Sequence, residues 1–434
     1  MSDERTYKVE LLARVEGEGR FHVKVDGDRV VEAHLSIFEA PRFFEAFLRG
    51  RSLYEVPDIV ARICGICPVA YQMSSVRAIE SALGSTPTPT IRALRRLLYC
   101  GEWIESHALH VFLLHAPDFL GYESALEMAR DHKEVVERGL RMKRAGNALI
   151  EALGGRAIHP VSVRVGGFTR APRIAELAEV RPALARALEE ARETVAWAAS
   201  LSAPAVDNDY TFVALAGDAY PLEWGDRIRV SGRGEFPVAA FDELFVEEHV
   251  ARSNALHCRL RDGTPYLCGP MARLNLFAEQ LHPAAVEALE ASGLRLPVRN
   301  PYLSLIVRAI ELVHAFAEAL DLIDQYQVPA ASYAEVTPAD AWGCGATEAP
   351  RGLLYHAYSL GGDGLVREAK IVPPTSQNQA RIEADLVALA PTLLTLEHGA
   401  ATRRCEQLIR AYDPCISCAT HFLRLEIDRA EAPS

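Results

Sequence analysis

Residues 62–71 read Arg-Ile-Cys-Gly-Ile-Cys-Pro-Val-Ala-Tyr, and residues 412–421 read Tyr-Asp-Pro-Cys-Ile-Ser-Cys-Ala-Thr-His. Each stretch contains one Cys-x-x-Cys pair, and the four sulfur-bearing residues are Cys64, Cys67, Cys415 and Cys418. The chain turns once across a two-residue gap, so both sulfur atoms of a pair can face one point. The two pairs therefore predict a single cluster of four thiols, built from opposite ends of the chain.

Four thiolates at one point would bind a soft metal: zinc, an iron–sulfur cluster, or nickel with iron. A structural zinc site is the simplest alternative, but zinc ribbons place their two pairs about 15–20 residues apart. Here roughly 350 residues lie between the pairs. A thioredoxin-type dithiol would need only one pair, and no β-α-β pattern surrounds either. We therefore expect the cluster at the centre of the fold.

The composition excludes several classes of protein. The chain has 434 residues, with 46 Lys and Arg against 58 Asp and Glu, and a formal net charge of -12. This acidic balance argues against nucleic acid or an anionic membrane as a partner, because both favour clustered basic residues. The sequence lacks an uncharged apolar run of about 18 residues and an N-terminal signal core. We therefore expect a cytoplasmic protein that binds neither nucleic acid nor membrane.

The chain has nine cysteines, which is an odd number, and its sequence shows no signal peptide. We therefore do not expect disulfide bonds to stabilise the fold. The cysteines outside the two pairs stand alone at positions 100, 258, 268, 344 and 405. We interpret these five as buried apolar thiols. They leave no cysteine in the spacing of a second cluster.

The hydrophobic pattern predicts a mostly helical chain. Residues 6–37 alternate or run apolar as strands do, with a hairpin signal at Asp26-Gly-Asp. Helical periodicity starts at about 40, and the predicted helices include 90–115, 131–153, 172–200, 283–293, 301–325, 378–391 and 393–411. We interpret 205–275 as short strands and loops, and 328–377 as loop-rich. The predicted class is α+β, predominantly α: a central bundle of long helices with flanking β hairpins, in one domain over residues 1–421.

In its motifs the chain resembles the large, catalytic subunits of NiFe hydrogenases, along essentially its whole length. The motifs occur in the family's order: Arg14-Val-Glu16-Gly-Glu, Arg62-Ile-Cys64-Gly-Ile-Cys67, Gly155-Arg-Ala-Ile-His159-Pro, Val165-Gly-Gly-Phe, Glu348-Ala-Pro350-Arg351-Gly, Val372-Pro-Pro-Thr375 and Asp413-Pro-Cys415-Ile-Ser-Cys418-Ala-Thr-His421. Each motif alone is weak, whereas the ordered set is specific. The related respiratory complex I subunit shares the fold but lacks the four cysteines, so their presence favours a hydrogenase.

The resemblance implies that the four cysteines hold a nickel–iron centre. Cys64 and Cys415 would be terminal ligands of nickel, and Cys67 and Cys418 would bridge nickel to iron. The iron would carry carbon monoxide and two cyanides. Thiolates are electron-rich and polarizable, which suits a metal that changes oxidation state. The implied activity is the reversible heterolysis of H2, with Cys415 as the base that receives the proton.

Further residues match positions with known roles in that family. Glu16 matches the proton-relay glutamate beside the terminal cysteine. Arg351 matches the arginine over the open metal position, where a fixed guanidinium hydrogen-bonds cyanide and polarises H2. Asp413 would hold Arg351 in place, and Pro350 and Thr375 would contact the diatomic ligands. Outside these motifs, such a Glu or Arg would be interpreted as a solvated surface charge.

The resemblance implies a second metal site and a processing step. A magnesium (or iron) ion would bind near the C-terminus, at Glu45, the Ile371 backbone carbonyl and His421. In the family the precursor extends past this histidine, and an endopeptidase removes the extension after nickel chaperones have loaded the metal. We therefore expect residues 422–434 to be a maturation tail that is removed.

Two positions depart from the family's pattern. Tyr71 stands where many relatives have a histidine that donates a hydrogen bond to a cysteine sulfur; a tyrosine, with an ordinary pKa of about 10, will not exchange a proton there at neutral pH. Ser106 stands where many relatives have an aspartate. Nearby, His107 and His110 lie three residues apart on one helical face, and we interpret both as hydrogen-bonded interior histidines rather than ligands.

The chain most resembles the cytoplasmic, bidirectional, NAD(P)-linked group, in particular the sulfhydrogenase α subunits. Since it has no G-x-G-x-x-G fingerprint, it would pass electrons to an iron–sulfur small subunit, and then through ferredoxin-like and FAD-containing subunits to NADP or NAD, in a heterotetramer. Two alternatives remain: an H2-sensing regulatory subunit, and a zinc-stabilised structural subunit of the same fold. Around a closed zinc site, Glu16, Arg351 and Asp413 would have no purpose.

Overall fold

Helices and short antiparallel sheets make up the computed structural model, which describes residues 4–26, 29–38 and 43–420. The helices are α1 (Phe44–Leu48), α2 (Val56–Val60), α3 (Pro68–Ala82), α4 (Pro89–Leu109), α5 (Ala116–Leu120), α6 (Ala125–Asp131), α7 (Lys133–Gly154), α8 (Ile174–Ser200), α9 (Phe241–Leu244), α10 (Pro270–Phe277), α11 (Pro283–Ser292), α12 (Ser304–Asp324), α13 (Pro374–Ala388), α14 (Ala390–Leu393), α15 (His398–Ala411) and α16 (Ile416–Ala419). The strands are β1 (Glu4–Val9), β2 (Gly19–Asp26), β3 (Arg29–Ile37), β4 (Val163–Arg164), β5 (Gly167–Phe168), β6 (Val213–Ala216), β7 (Arg227–Val230), β8 (Gly234–Pro237), β9 (Phe245–His249), β10 (Leu256–Leu260), β11 (Ala341–Ala349), β12 (Gly352–Leu360) and β13 (Val366–Val372). The fold is α+β and predominantly helical, as predicted.

Four long helices, α4, α7, α8 and α12, form the central bundle. They contain 21, 22, 27 and 21 residues, so each is about 30–40 Å long. α4 packs on α7 and α12, and α8 packs on the same two helices. At Gly146 a Cβ atom would lie 2.8 Å from the Gly101 carbonyl oxygen, so the missing side chain lets α4 and α7 approach closely. The bundle confirms the four long helices predicted from periodicity.

The predicted β structure at the start of the chain is also present. β1, β2 and β3 form one antiparallel sheet, in which Phe21, Val23 and Val25 of β2 face the core and alternate with more exposed residues. This is the period-two pattern from which the strands were predicted. The predicted turn at residues 27–28 lies outside the described residues.

The prediction of a loop-rich stretch over 328–377 was wrong. Half of its 50 residues lie in the three strands of the antiparallel sheet β11–β12–β13. β11 and β12 are buried on both faces, so they lack the alternation that marks a half-exposed strand. The glycines of this stretch include Gly343 and Gly345, and a Cβ at either would lie within 2.7 Å of the backbone of α3. These glycines allow a strand to pack directly on a helix.

Two smaller differences concern helix boundaries. The predicted strand-and-loop region 205–275 contains β6–β10 but ends in the first residues of α10, which the sequence did not predict. α13 begins at Pro374, four residues before the predicted start, because a proline fits the first turn of a helix, where its missing N–H has no partner to lose. Its early start brings Thr375 onto a helix.

Most buried apolar residues belong to one large core, a second core lies between β6–β10 and β11–β13, and two small clusters lie apart from them in the described chain. The five single cysteines are all buried, and all nine cysteines are free thiols. Among the described residues, no helix combines the length and apolar character that crossing a membrane requires. The assignment of residues 1–421 to one domain stays a prediction.

A fully buried cluster of charges joins the bundle to the β11–β12 hairpin. Arg273 of α10 donates from Nε and Nη2 to the two carboxylate oxygens of Glu311, both at 2.8 Å, and from Nη1 to Glu348 at 2.9 Å. Its Nη2 also donates to the Pro350 carbonyl oxygen at 3.0 Å. His107 contacts the same Glu311 carboxylate at 2.9 Å. The cluster holds the end of β11 against α10 and α12.

We expect Arg273→Met to lower the free energy of unfolding by about 3–5 kcal/mol, because two carboxylates would remain buried without their cation. Chemical denaturation followed by circular dichroism measures this loss. Arg181→Met is the matched control: Arg181 binds both oxygens of Asp324 in the same way, but on the surface, and its removal should change stability little. Equal effects of the two substitutions would contradict the structural role of the buried cluster.

Candidate metal centre

The four paired cysteines come together at one buried point. Cys64 follows a short helical turn, and Cys67 directly precedes α3. Cys415 directly precedes α16, and Cys418 lies within it. All four sulfur atoms lie within 4.8 Å of one another. The structure thus joins the two pairs, as their spacing predicted.

The sulfur atoms are close enough to share one metal site. Cys67 Sγ lies 2.8 Å from Cys64 Sγ and 3.9 Å from Cys418 Sγ, and Cys64 Sγ lies 3.6 Å from Cys415 Sγ. Burial raises the pKa of the Cys67, Cys415 and Cys418 thiols. Burial acts the same way on Cys64, but hydrogen bonds from the other thiols and the charge of Arg351 lower its pKa overall. Four converging sulfur donors fit a soft metal.

Glu16 lies directly against the second pair. Its backbone forms a parallel bridge with Cys415, in which Ile416 N donates to the Glu16 carbonyl oxygen at 2.8 Å. Its Oε2 accepts hydrogen bonds from Cys415 Sγ at 3.2 Å and from Ser417 N at 3.0 Å. The carboxylate is therefore fixed beside one thiol, while the residue itself is only half-buried.

Arg351 lies at the tip of a tight hairpin. Ala349 of β11 pairs with Gly352 of β12, so Pro350 and Arg351 form a two-residue turn. The guanidinium is 2% exposed, and it donates to the carbonyl oxygen of Asp413 at 2.9 Å and to its Oδ1 at 3.2 Å. Its Nη1 has no hydrogen-bond partner within the described part of the chain. A buried N–H donor without a protein partner is expected where the site binds an acceptor that is not part of the protein.

Asp413 and Thr375 hold the backbone next to Cys415. Asp413 has a φ of 52°, in the left-handed region that aspartate tolerates better than most residues. Thr375, at the start of α13, accepts a hydrogen bond from Cys415 N at 2.9 Å. The hydroxyl predicted to face the diatomic ligands thus also fixes the backbone of a cysteine.

The two positions that depart from the family's pattern are both buried. The Tyr71 hydroxyl and Ser106 Oγ have no hydrogen-bond partner among the residues that the structure describes. Burial, together with the charge of nearby cysteines, raises the pKa of Tyr71, so its proton stays bound. His107 and His110 are interior histidines with hydrogen bonds to Glu311 and to the Arg410 carbonyl oxygen, as interpreted from the sequence.

Two of the three residues predicted for a second metal, Glu45 and Ile371, lie beside Cys418. Ile371 N donates to Glu45 Oε1 at 2.7 Å, and both residues line a cavity of about 150 Å³ together with Cys418. His421, the third predicted ligand, and the tail 422–434 lie outside the described residues.

Sequence reasoning missed several charged residues near the cluster. Glu102 of α4 accepts hydrogen bonds from Val69 N and Ala70 N, at the N-terminus of α3 just after Cys67. Arg308 of α12 donates to the Ala411 carbonyl oxygen at 3.0 Å, just before Asp413. Each is a charged residue that directly follows an apolar run within its helix, residues 97–101 and 305–307, and that contrast was the available signal.

Comparisons with known proteins agree with this geometry. A family model described as nickel-dependent hydrogenase matches residues 42–139 and 275–421, more than half of the chain. Sulfhydrogenase 1 subunit alpha of Pyrococcus furiosus is 36% identical over 422 residues, covering 96% of this chain and 98% of the relative. Sulfhydrogenase 2 subunit alpha of the same organism is 35% identical, covering 96% and 99%.

A solved structure extends the comparison to the fold. A chain of an NAD+-reducing [NiFe]-hydrogenase in the H2-reduced state superposes with a TM-score of 0.87 and 27% identity, covering 96% of this chain and 99% of that one. These matches span both cysteine pairs and nearly the full length of each relative. The chain therefore belongs to the nickel-dependent hydrogenases, as the large, catalytic subunit of a NiFe enzyme.

Proposed function

We propose that Cys64, Cys67, Cys415 and Cys418 hold a nickel–iron centre whose iron carries carbon monoxide and two cyanides. When bound, this centre would supply the redox chemistry that splits H2 heterolytically and reversibly. The observation that carries the proposal is the convergence of four buried sulfur atoms within 4.8 Å. A carboxylate and a guanidinium lie beside them, and a structural zinc site would need neither.

Glu16 takes the proton that leaves Cys415. Cys415 Sγ is within hydrogen-bond distance of Glu16 Oε2, so the transfer needs no movement of either side chain. The hydrogen bond from Ser417 N holds the carboxylate in place. Because Glu16 is half-buried whereas the thiol is fully buried, the proton moves from the interior toward the surface.

Arg351 orients and polarises the ligands of the site. Asp413 binds the guanidinium through Nε and Nη2 and leaves Nη1 to donate to a cyanide, while the positive charge polarises H2 as it approaches. Pro350 places the arginine by forming the hairpin turn with it. Thr375 fixes the backbone of Cys415 by accepting a hydrogen bond, and its hydroxyl proton would donate to a diatomic ligand of the centre.

Glu45, the Ile371 carbonyl oxygen and His421 form the proposed magnesium site. Glu45 and Ile371 already share a cavity with Cys418, and an oxygen-rich site beside a cavity that admits water suits magnesium. Processing after His421 by an endopeptidase, following metal insertion by nickel chaperones, is part of the same proposal.

Electrons leave through other subunits. Only one group of cysteines in the described chain is arranged to hold a metal, so the proposed acceptor is an iron–sulfur small subunit. Relatives include sulfhydrogenase alpha subunits and the beta subunit of an NAD-reducing hydrogenase of Cupriavidus necator, 28% identical over 468 residues. These relatives are subunits of larger enzymes, one of them NAD-reducing, which supports partner subunits and NAD as an acceptor for this chain. Ferredoxin-like and flavin subunits, with NADP or NAD as the final acceptor, in the cytoplasm, complete the proposal.

The metal centre is tested first. Infrared spectra of the protein purified with its partner subunits should show bands of metal-bound cyanide and carbon monoxide, and elemental analysis should show nickel. Cys64→Ser should lose the nickel and the bands, since a hydroxyl replaces a ligand thiolate. Cys100→Ser, which changes a buried thiol of α4, should keep both. Zinc in place of nickel in the processed wild-type chain would refute the proposal.

Glu16→Gln should reduce H2 oxidation by about 10²–10⁴-fold, because an amide cannot accept the proton from Cys415. Turnover and hydrogen–deuterium exchange are measured on protein with normal nickel content. Glu10→Gln, an exposed glutamate of the same N-terminal region, should leave both rates unchanged. Exchange at the wild-type rate in Glu16→Gln would exclude the relay.

Arg351→Lys should lower turnover by about 10²–10³-fold, although it keeps a positive charge. A lysine cannot bind both oxygen atoms of Asp413 and still present a fixed donor. The measurement is kcat for H2 in protein whose nickel content matches wild type. A kcat near the wild-type value would show that charge alone is required at this position.

A further inference from the structure

Helix α13 binds both ends of the segment 412–415, which contains Asp413. At its start, Thr375 of α13 accepts the hydrogen bond from Cys415 N. Ten residues later, Asp385 of α13 accepts a hydrogen bond from the hydroxyl of Tyr412. Ten helical residues span about 15 Å. The roles proposed above use Thr375 but give Asp385 none.

Asp385 is a fully buried carboxylate at the centre of a polar cluster. Its Oδ2 accepts hydrogen bonds from the hydroxyls of Tyr210, at 2.7 Å, and of Tyr412. Its Oδ1 is bound by Asn208 Nδ2 at 3.0 Å and by Arg381 Nη2 at 2.6 Å. Four donors on one carboxylate leave it a single orientation, so the Tyr412 ring that it binds is fixed as well.

The residue after Tyr412 is the one that holds Arg351. Asp413 keeps its left-handed conformation, with φ 52°, although it is not a glycine. Its N–H donates to the Arg410 carbonyl oxygen at 2.9 Å, and its carbonyl oxygen receives the hydrogen bond from Arg351. A strained residue of this kind persists only where its neighbours are held in place. On its N-terminal side that neighbour is Tyr412.

We propose that Asp385 is a positioning residue for Arg351. By fixing Tyr412, it holds Asp413 in the conformation in which its carbonyl and carboxylate oxygens both bind the guanidinium. The unpartnered Nη1 of Arg351 then points at a defined place in the site. This inference rests on the role proposed above for Arg351, and it adds a buried carboxylate on another helix that sets the geometry of that role.

The chain offers a matched pair of variants. Tyr412→Phe and Tyr210→Phe each remove one hydroxyl from the same oxygen of Asp385, but only Tyr412 is bonded to Asp413. Both should lower the thermal midpoint of the complete enzyme to a similar extent. We expect Tyr412→Phe to shift the infrared bands of cyanide and to lower kcat by roughly tenfold, since small misplacements of a catalytic group are costly. Tyr210→Phe should leave the bands and kcat unchanged, because Asn208 and Arg381 still hold Asp385 and the bond from Tyr412 remains.

Two results would overturn the inference. One is a Tyr412→Phe enzyme with wild-type bands and wild-type kcat. The other is an equal shift of the bands in Tyr210→Phe, because that would reflect general loosening of α13. Asp385→Asn is the third variant: it should reproduce the Tyr412→Phe shift, and if it does not fold, the tyrosine pair still decides.

A double-mutant cycle separates positioning from other effects. If Tyr412 acts through Arg351, Tyr412→Phe should no longer lower kcat in the Arg351→Lys background. Additive losses would overturn the inference. A wild-type enzyme without cyanide bands would refute the proposed metal centre itself. Normal wild-type bands that stay unchanged in Tyr412→Phe would refute only the role of Asp385.

Discussion

Four sulfur atoms must meet at one buried point, and this requirement determines how the rest of the molecule is arranged. The pairs come from the start of α3 and from α16, which lie at opposite ends of the sequence. To join them, residues 412–420 are buried between the N-terminal sheet and α13. Every polar group of that segment then needs a partner inside the protein. Glu16, Thr375 and Arg351 provide those partners.

The cost of burying charge explains much of the surrounding structure. Arg351 and Arg273 are both almost completely buried, and each is matched by carboxylates on other elements. Arg273 binds the Pro350 carbonyl oxygen, and Arg351 is the next residue, so the two guanidinium groups hold one hairpin turn from two sides. A turn held in this way keeps its geometry, as a group that orients ligands requires.

The sequence allowed prediction of what depends on local spacing. Cys-x-x-Cys pairs, the motif around Glu16 and the apolar period of the long helices each lie within a few turns of chain, and they led to the cluster and the bundle. β11 and β12 were missed because they are buried on both faces, and because β11 carries two glycines, which contact α3. Asp385 was missed for another reason. Two of its donors, Tyr210 and Tyr412, lie 175 and 27 residues away, and no local pattern shows that they meet.

The distance along the chain between the two cysteine pairs also has a consequence in time. Synthesis at about 5–20 residues per second needs on the order of 20–70 s to cover the roughly 350 residues between them. Throughout that interval the nascent chain has only the first pair of the cluster. Cys64 and Cys67 are not yet covered by the segment that contains Cys415 and Cys418. The four-thiol site cannot close around a metal until the segment with Cys415 and Cys418 has been made. The first pair of thiols must be shielded from oxidation until the second arrives.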